Sequence, residues 1–197
     1  MTTPPQPDTF RVTLLVVQAL EDLDIPYLIG GSLACAVHGL ARATMDADLI
    51  ADIQPEHIQP LISALGGDFY LDDEMMVQAI VRSSSFNLIH LETLFKIDVF
   101  VMKQRPFDRQ QMARRTAQTL DSSGGRQAYM ATAEDILLAK LEWYRMGGEV
   151  SERQWRDVLG VIAVQGERLD SNYLRHWAVE LGVSDLLERA LEESGAR

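Results

Sequence analysis

Cysteine is almost missing from this 197-residue chain. Cys35 stands alone, so no internal disulfide can form, and the count fits a reducing compartment. Long apolar runs are missing too: none approaches the roughly 20 residues of a membrane-spanning helix, and no membrane partner is expected. The opening MTTPPQPDTF has no basic segment followed by an apolar one. It reads as a short Pro-rich tail over 1–9 rather than a secretory signal, which leaves a cytoplasmic location as the expectation. Positive charge is scarce: 18 Lys and Arg face 29 Asp and Glu, for a formal charge of −11. That excludes a broad surface for coating nucleic acid, so any such contact needs a local basic patch. No internal repeat is present. What the chain does have is apolar content, 47%, enough for a soluble globular protein of one large or two small domains.

Periodicity divides the chain into two regions. Thr9 to Leu23 has helical spacing, Tyr27 to Ile29 is a short buried strand after Pro26, and Ser32 to His38 is a small, apolar helix. Asp46 to Ile53 alternates as a strand, Pro55 to Leu65 and Asp73 to Arg82 read as helices, and Phe86–Leu91 with Phe95–Met102 as an antiparallel pair joined at Glu92-Thr93. KQRPFDRQQMARR is basic and polar, SSGGR is a loop, and from Thr132 the pattern is helical to the end. Thr132 with Asp135, Ser151 with Gln154, Asp170 and Ser184 are four expected helix caps. The expected division is 1–125, α/β, and 126–197, all-helical.

The stretch GGSLACAVHGLARATMDADLIADI, Gly30 to Ile53, carries the chemistry. Side chains two apart on a strand share a face, so Asp46 and Asp48 project together. Two carboxylates converging at ~5–7 Å repel unless a cation or proton intervenes. Mg²⁺ is the natural partner, held by one or two carboxylates with substrate phosphates completing its shell. The Gly30-Gly31 turn lets backbone N–H groups approach an anion, the following helix start favours negative charge, and Ser32 adds a hydroxyl. In FKIDVFV, Lys96 and Asp98 share one face while Ile97, Val99 and Val101 take the other. Asp98 is a candidate third carboxylate for a second ion, as in-line displacement at phosphorus often uses, and Lys96 a candidate to neutralise phosphate charge. Taken singly, a D-x-D, a GGS turn or a strand aspartate each has a plain structural explanation. Their combination is what points to nucleotide chemistry.

These residues resemble the nucleotidyltransferase superfamily that includes DNA polymerase β. Its signature runs through a glycine turn, a short helix, D-x-D on the next strand and a lone D on a later one. More narrowly, His38, Arg42, Thr44, Asp46 and Asp48 are similar to the H-x-x-x-R-x-T-x-D-x-D run of the AbiEii-like branch, the toxins of type IV toxin–antitoxin systems and their relatives. AEDILLAKLEWYR and SERQWRDV resemble that branch's lysine-bearing helix and a later helix with arginine and aspartate, which singles out Lys140 and Asp157. The resemblance implies an α/β fold of the α+β kind, with a mixed sheet of about five strands, flanking helices and an all-helical C-terminal domain. It implies transfer of a nucleoside monophosphate from an NTP to an acceptor hydroxyl with one or two Mg²⁺ ions. Asp46, Asp48 and Asp98 would be metal ligands and, with Lys140, catalytic. Gly30, Gly31, Ser32, Arg42, Thr44, Lys96 and Asp157 would bind the nucleotide, with Arg145 helping Lys140. Asp157 would orient Lys140 or Arg153. The acceptor would be tRNA or a protein, and an antitoxin a possible partner. The alternatives are a small-molecule acceptor, or a protein of this fold that binds a nucleotide or partner without turnover.

Other residues have plainer expectations. His38 reads as a hydrogen-bonded structural histidine, Cys35 as core, and Trp143, Tyr144 and Trp155 as packing between helices. His90 is open between the site and a solvent-facing strand position. The five basic residues of KQRPFDRQQMARR form a solvated linker helix by default and are also the best candidate for an RNA-contacting patch.

Overall fold

The computed structural model describes residues 8–39, 46–120 and 125–195. It divides into two compact units: 8–30 with 46–120 and 125–130, and 31–39 with 131–195. The chain leaves the first unit between Gly30 and Gly31 and again between Met130 and Ala131. The short helix after the glycine turn therefore belongs with the C-terminal helices.

The first unit holds α1 (Asp8–Asp22), β1 (Tyr27–Ile29), β2 (Asp46–Ala51), α3 (Ile58–Leu65), β3 (Phe69–Tyr70), α4 (Asp73–Arg82), β4 (Ser85–His90), β5 (Lys96–Val101), α5 (Pro106–Arg114), β6 (Thr116–Thr119) and β7 (Gln127–Met130); α2 lies in the second unit. Its described strands form a seven-stranded mixed sheet in the order β3-β4-β5-β2-β1-β7-β6. β2 runs parallel to β5 and antiparallel to β1, and β7 joins β1 in parallel. Alternation in β2 and β5 explains the layering: Ala47, Leu49 and Ala51 with Ile97, Val99 and Val101 are buried, while the residues between them are half-buried. Val16 and Leu20 of α1, Leu61 and Leu65 of α3 and Met76 of α4 meet Phe86, Leu88 and Val99 in one apolar cluster. Each such side chain contributes about 1.5–3 kcal/mol by leaving water. Asp72 caps α4 by accepting from the Met75 N–H at 2.9 Å.

The second unit holds α2 (Gly31–His38), α6 (Ala133–Met146), α7 (Glu152–Gln165), α8 (Ser171–Glu180) and α9 (Ser184–Ser194). Three of the expected caps form. Thr132 Oγ1 accepts from the Asp135 N–H, Ser151 Oγ from the Gln154 N–H, and Asp170 from the N–H groups of Asn172 and Tyr173. The fourth does not: Val183 is the residue before α9, no side chain caps it, and Ser184 already lies inside the helix. Leu33, Ala34 and Cys35 of α2 are buried, and α2 packs on α6 and α7. Gly39 permits this approach, since a Cβ there would lie 3.0 Å from the Cys35 carbonyl and 3.1 Å from the Val161 nitrogen.

Candidate active site

In the first unit, β2 and β5 bring four of the expected residues onto one face of the sheet. Their register places Asp46 opposite Lys96 and Asp48 opposite Asp98. Neighbouring strands lie about 4.8 Å apart, so Asp48 and Asp98 are side by side, with Asp46 one pleat away. This face is the one turned from the apolar cluster, since Leu49 and Val99 point the other way. Lys96 Nζ donates to Asp98 Oδ2 at 2.7 Å. The bond to Asp98 raises the Lys96 ammonium above its ordinary pKa against an opposing effect of burial, and the charges of Asp46 and Asp48 act in the same upward direction. Asn87 on β4 is exposed and sits opposite Asp98 on its other side. Sequence reasoning passed over it, although the alternation of SFNLIH puts it on the polar face.

The donor set fits a hard divalent cation in part. Asp46 and Asp48 supply two carboxylates from one strand face, the number Mg²⁺ takes from protein when phosphate oxygens and water fill the remainder. Among the described residues no group of three or more His, Cys, Asp or Glu is placed to hold one ion, and Asp98 is engaged by Lys96. The glycine turn also differs from the phosphate cradle expected. The Gly30 N–H donates to the Asp48 carbonyl at 2.9 Å, which extends the sheet and takes that donor from any anion. Gly31 has φ 53°, a left-handed conformation that glycine adopts without strain.

In the second unit, Ser32 lies in the first turn of α2, and its hydroxyl accepts from Arg153 Nη2 at 3.2 Å. Lys140 Nζ on α6 donates to Asp157 Oδ2 on α7 at 2.9 Å, with side-chain exposures of 12% and 10%. Asp157 is thus bonded to Lys140, one of the two residues it was expected to orient. Arg145 pairs with Glu149 and Asp185. Arg42 and Thr44 lie outside the described residues.

The remaining expectations sort plainly. His38 Nε2 bonds the Ala131 carbonyl at 2.8 Å, a structural contact, and Cys35 is core. Tyr144 and Trp155 pack at 5.3 Å between ring centres, whereas Trp143 stays half-exposed. His90 is neither of the things expected of it. It is buried on the core face, Nδ1 bonded to Thr93 Oγ1 and the ring set edge-on to Phe69. Of the five basic residues around α5, Arg105 pairs with Asp108 through two nitrogens, and Arg115 bonds the Met112 carbonyl and covers the Tyr129 ring. Lys103 and Arg109 are the exposed ones.

No protein-family model matches the chain, and no curated protein matches it in sequence. Solved structures do. An antigenic nucleotidyltransferase-like protein from Paracoccidioides brasiliensis superposes with TM-score 0.59 at 22% identity, over 96% of this chain and 95% of its own. The antibiotic-resistance factor ANT(2'')-Ia in solution gives TM-score 0.52 at 11% identity, over 91% of this chain and 96% of its own. The fold is nucleotidyltransferase-like, a mixed sheet with flanking helices.

Proposed function

We propose that the chain is a Mg²⁺-dependent nucleotidyltransferase that moves a nucleoside monophosphate from an NTP to an acceptor hydroxyl. The observation that carries this reading is the register of β2 against β5, which sets Asp46, Asp48 and Asp98 on one face away from the core. The acceptor oxygen attacks the α-phosphorus in line, a new P–O bond forms, the α–β bridge breaks and pyrophosphate leaves. Bound on Asp46 and Asp48, Mg²⁺ supplies charge neutralisation at the phosphates. On this reading Asp98 takes the hydroxyl proton, and Lys96 holds that carboxylate. In the second unit, Lys140, oriented by Asp157, and Ser32 with Gly31 are the groups suited to triphosphate oxygens. Arg42 and Thr44 complete the nucleotide contacts that the AbiEii-like resemblance implies, and an RNA or protein acceptor and a cognate antitoxin come from the same resemblance.

A small cationic acceptor is the second reading. It is supported by the charge of −11 and by the internal engagement of Arg105 and Arg115, which leaves Lys103 and Arg109 as the exposed basic residues around α5. The structural likeness to an antibiotic-resistance factor agrees with it.

The test is label transfer from each of four α-³²P NTPs, with Mg²⁺, to tRNA, to lysate protein or to an aminoglycoside. Wild type should label one class. Asp46→Asn with Asp48→Asn should lower transfer by about 100–1000-fold while the circular dichroism spectrum stays unchanged, because relieving carboxylate repulsion does not unfold the apo protein. An unfolded double variant would make the pair structural, and no transfer to any acceptor would defeat the enzymatic reading.

A further inference from the structure

On the functional reading above, we infer that this site takes a single divalent cation, on Asp46 and Asp48, and that the Lys96 ammonium occupies the place against Asp98 where a second ion would bind. Three observations carry the inference. Lys96 Nζ is 2.7 Å from Asp98 Oδ2, the length of a charge-assisted bond to a carboxylate. Lys96 stands directly opposite Asp46 and two residues from Asp98, which itself stands opposite Asp48, so Lys96 shares one face of the sheet with all three carboxylates. The Asp98 side chain is 17% exposed and that of Lys96 43%. Of the paired groups, the ammonium is thus the more exposed and the carboxylate the more buried.

The two-ion arrangement needs centres about 3.5–4 Å apart, and the ammonium stands where the ion on Asp98 would have to sit. A lysine there is a fixed point charge on a flexible stem. It keeps Asp98 paired without requiring metal and can swing aside on its aliphatic chain when an acceptor hydroxyl arrives.

The experiment is a Mn²⁺ titration of the full chain, without nucleotide, read by electron paramagnetic resonance. Wild type and Lys96→Arg should bind one Mn²⁺ per chain. Lys96→Met, which removes the charge and keeps the apolar stem, should bind two, with the spectral broadening of a coupled pair. Asp46→Asn with Asp48→Asn should bind none in the wild-type background. Two coupled ions in wild type would overturn the inference and leave the metal reading intact. A single ion in both wild type and Lys96→Met would also overturn it, since Lys96 would not be what excludes the second. No bound Mn²⁺ in wild type would instead overturn the metal-dependent reading on which the inference rests. Circular dichroism on each variant separates a lost fold from a lost site.

Discussion

Tyr27 shows how a single buried side chain sets a pH limit. Its ring is 2% exposed, its hydroxyl donates to Glu21 Oε1 at 2.6 Å, and it accepts from the Tyr129 N–H at 3.2 Å. Burial first, and the bond to Glu21 second, push its ionisation well above the ordinary tyrosine range. The unfolded chain ionises first, near pH 10, so the folded state holds the proton more tightly. The stability this contributes is complete below about pH 10 and drains away as pH rises beyond it. Urea unfolding should give a free energy that falls above pH 10. Tyr27→Phe should cost about 1–2 kcal/mol at pH 7, by stranding the Tyr129 N–H, and should flatten the alkaline fall. Lys96 has the same sign, so some slope should survive. Gly30 offers a second test at this scale. A Cβ there would make only ordinary contacts, 3.7 Å to Ile50 Cδ1 and 3.9 Å to Leu28 Cδ1. Gly30→Ala should therefore leave Tm within about 2 °C, and a loss of NTP affinity on calorimetry would mark a close approach by ligand.

At the scale of elements, the Lys140–Asp157 pair couples α6 to α7 from positions about nine-tenths buried. Removing one partner of such a pair strands the other charge. Lys140→Met should cost about 2–3 kcal/mol, and adding Asp157→Leu should recover most of it. A coupling below about 0.5 kcal/mol in the double-mutant cycle would class the pair with solvent-screened surface bridges. The helices of this unit were legible because their caps are local: Thr132, Ser151 and Asp170 each act within three residues. Ser184 misled because the turn before α9 places Val183 one residue earlier at the boundary. Strands were legible where alternation was clean, as in β2 and β5. β3, β6 and β7 were missed, the first two for a physical reason. β3 is two residues long, and TAQT in β6 lacks an apolar face because the strand is an exposed edge. That Asp46 and Asp48 share a face of β2, and Lys96 and Asp98 a face of β5, could be read from period two alone. Which residues stand opposite could not, since register belongs to the pairing of β2 with β5.

For the whole molecule, the lesson is that the second unit is assembled from two separate stretches. Composition suggested a cut near 125, and a fragment made there would lack α2. Leu33, Ala34 and Cys35, buried in the intact chain, would leave the α6 and α7 surfaces that they cover open to water. The 126–197 fragment should show reduced helicity and no cooperative thermal transition by circular dichroism. Joining 31–39 to it through a flexible linker should restore both. A cooperative transition in the short fragment would show that α2 is dispensable to this unit.

The same interleaving imposes an order on synthesis. Residues 31–39 leave the ribosome about a hundred residues before α6 and α7 exist. At ~5–20 residues per second, the apolar side of α2 waits roughly 5–20 seconds for its partners. During that interval Leu33, Ala34 and Cys35 are exposed on a nascent chain whose sheet is already growing. A chain stalled before Ala131 presents that surface indefinitely, which makes it a natural client for chaperone capture.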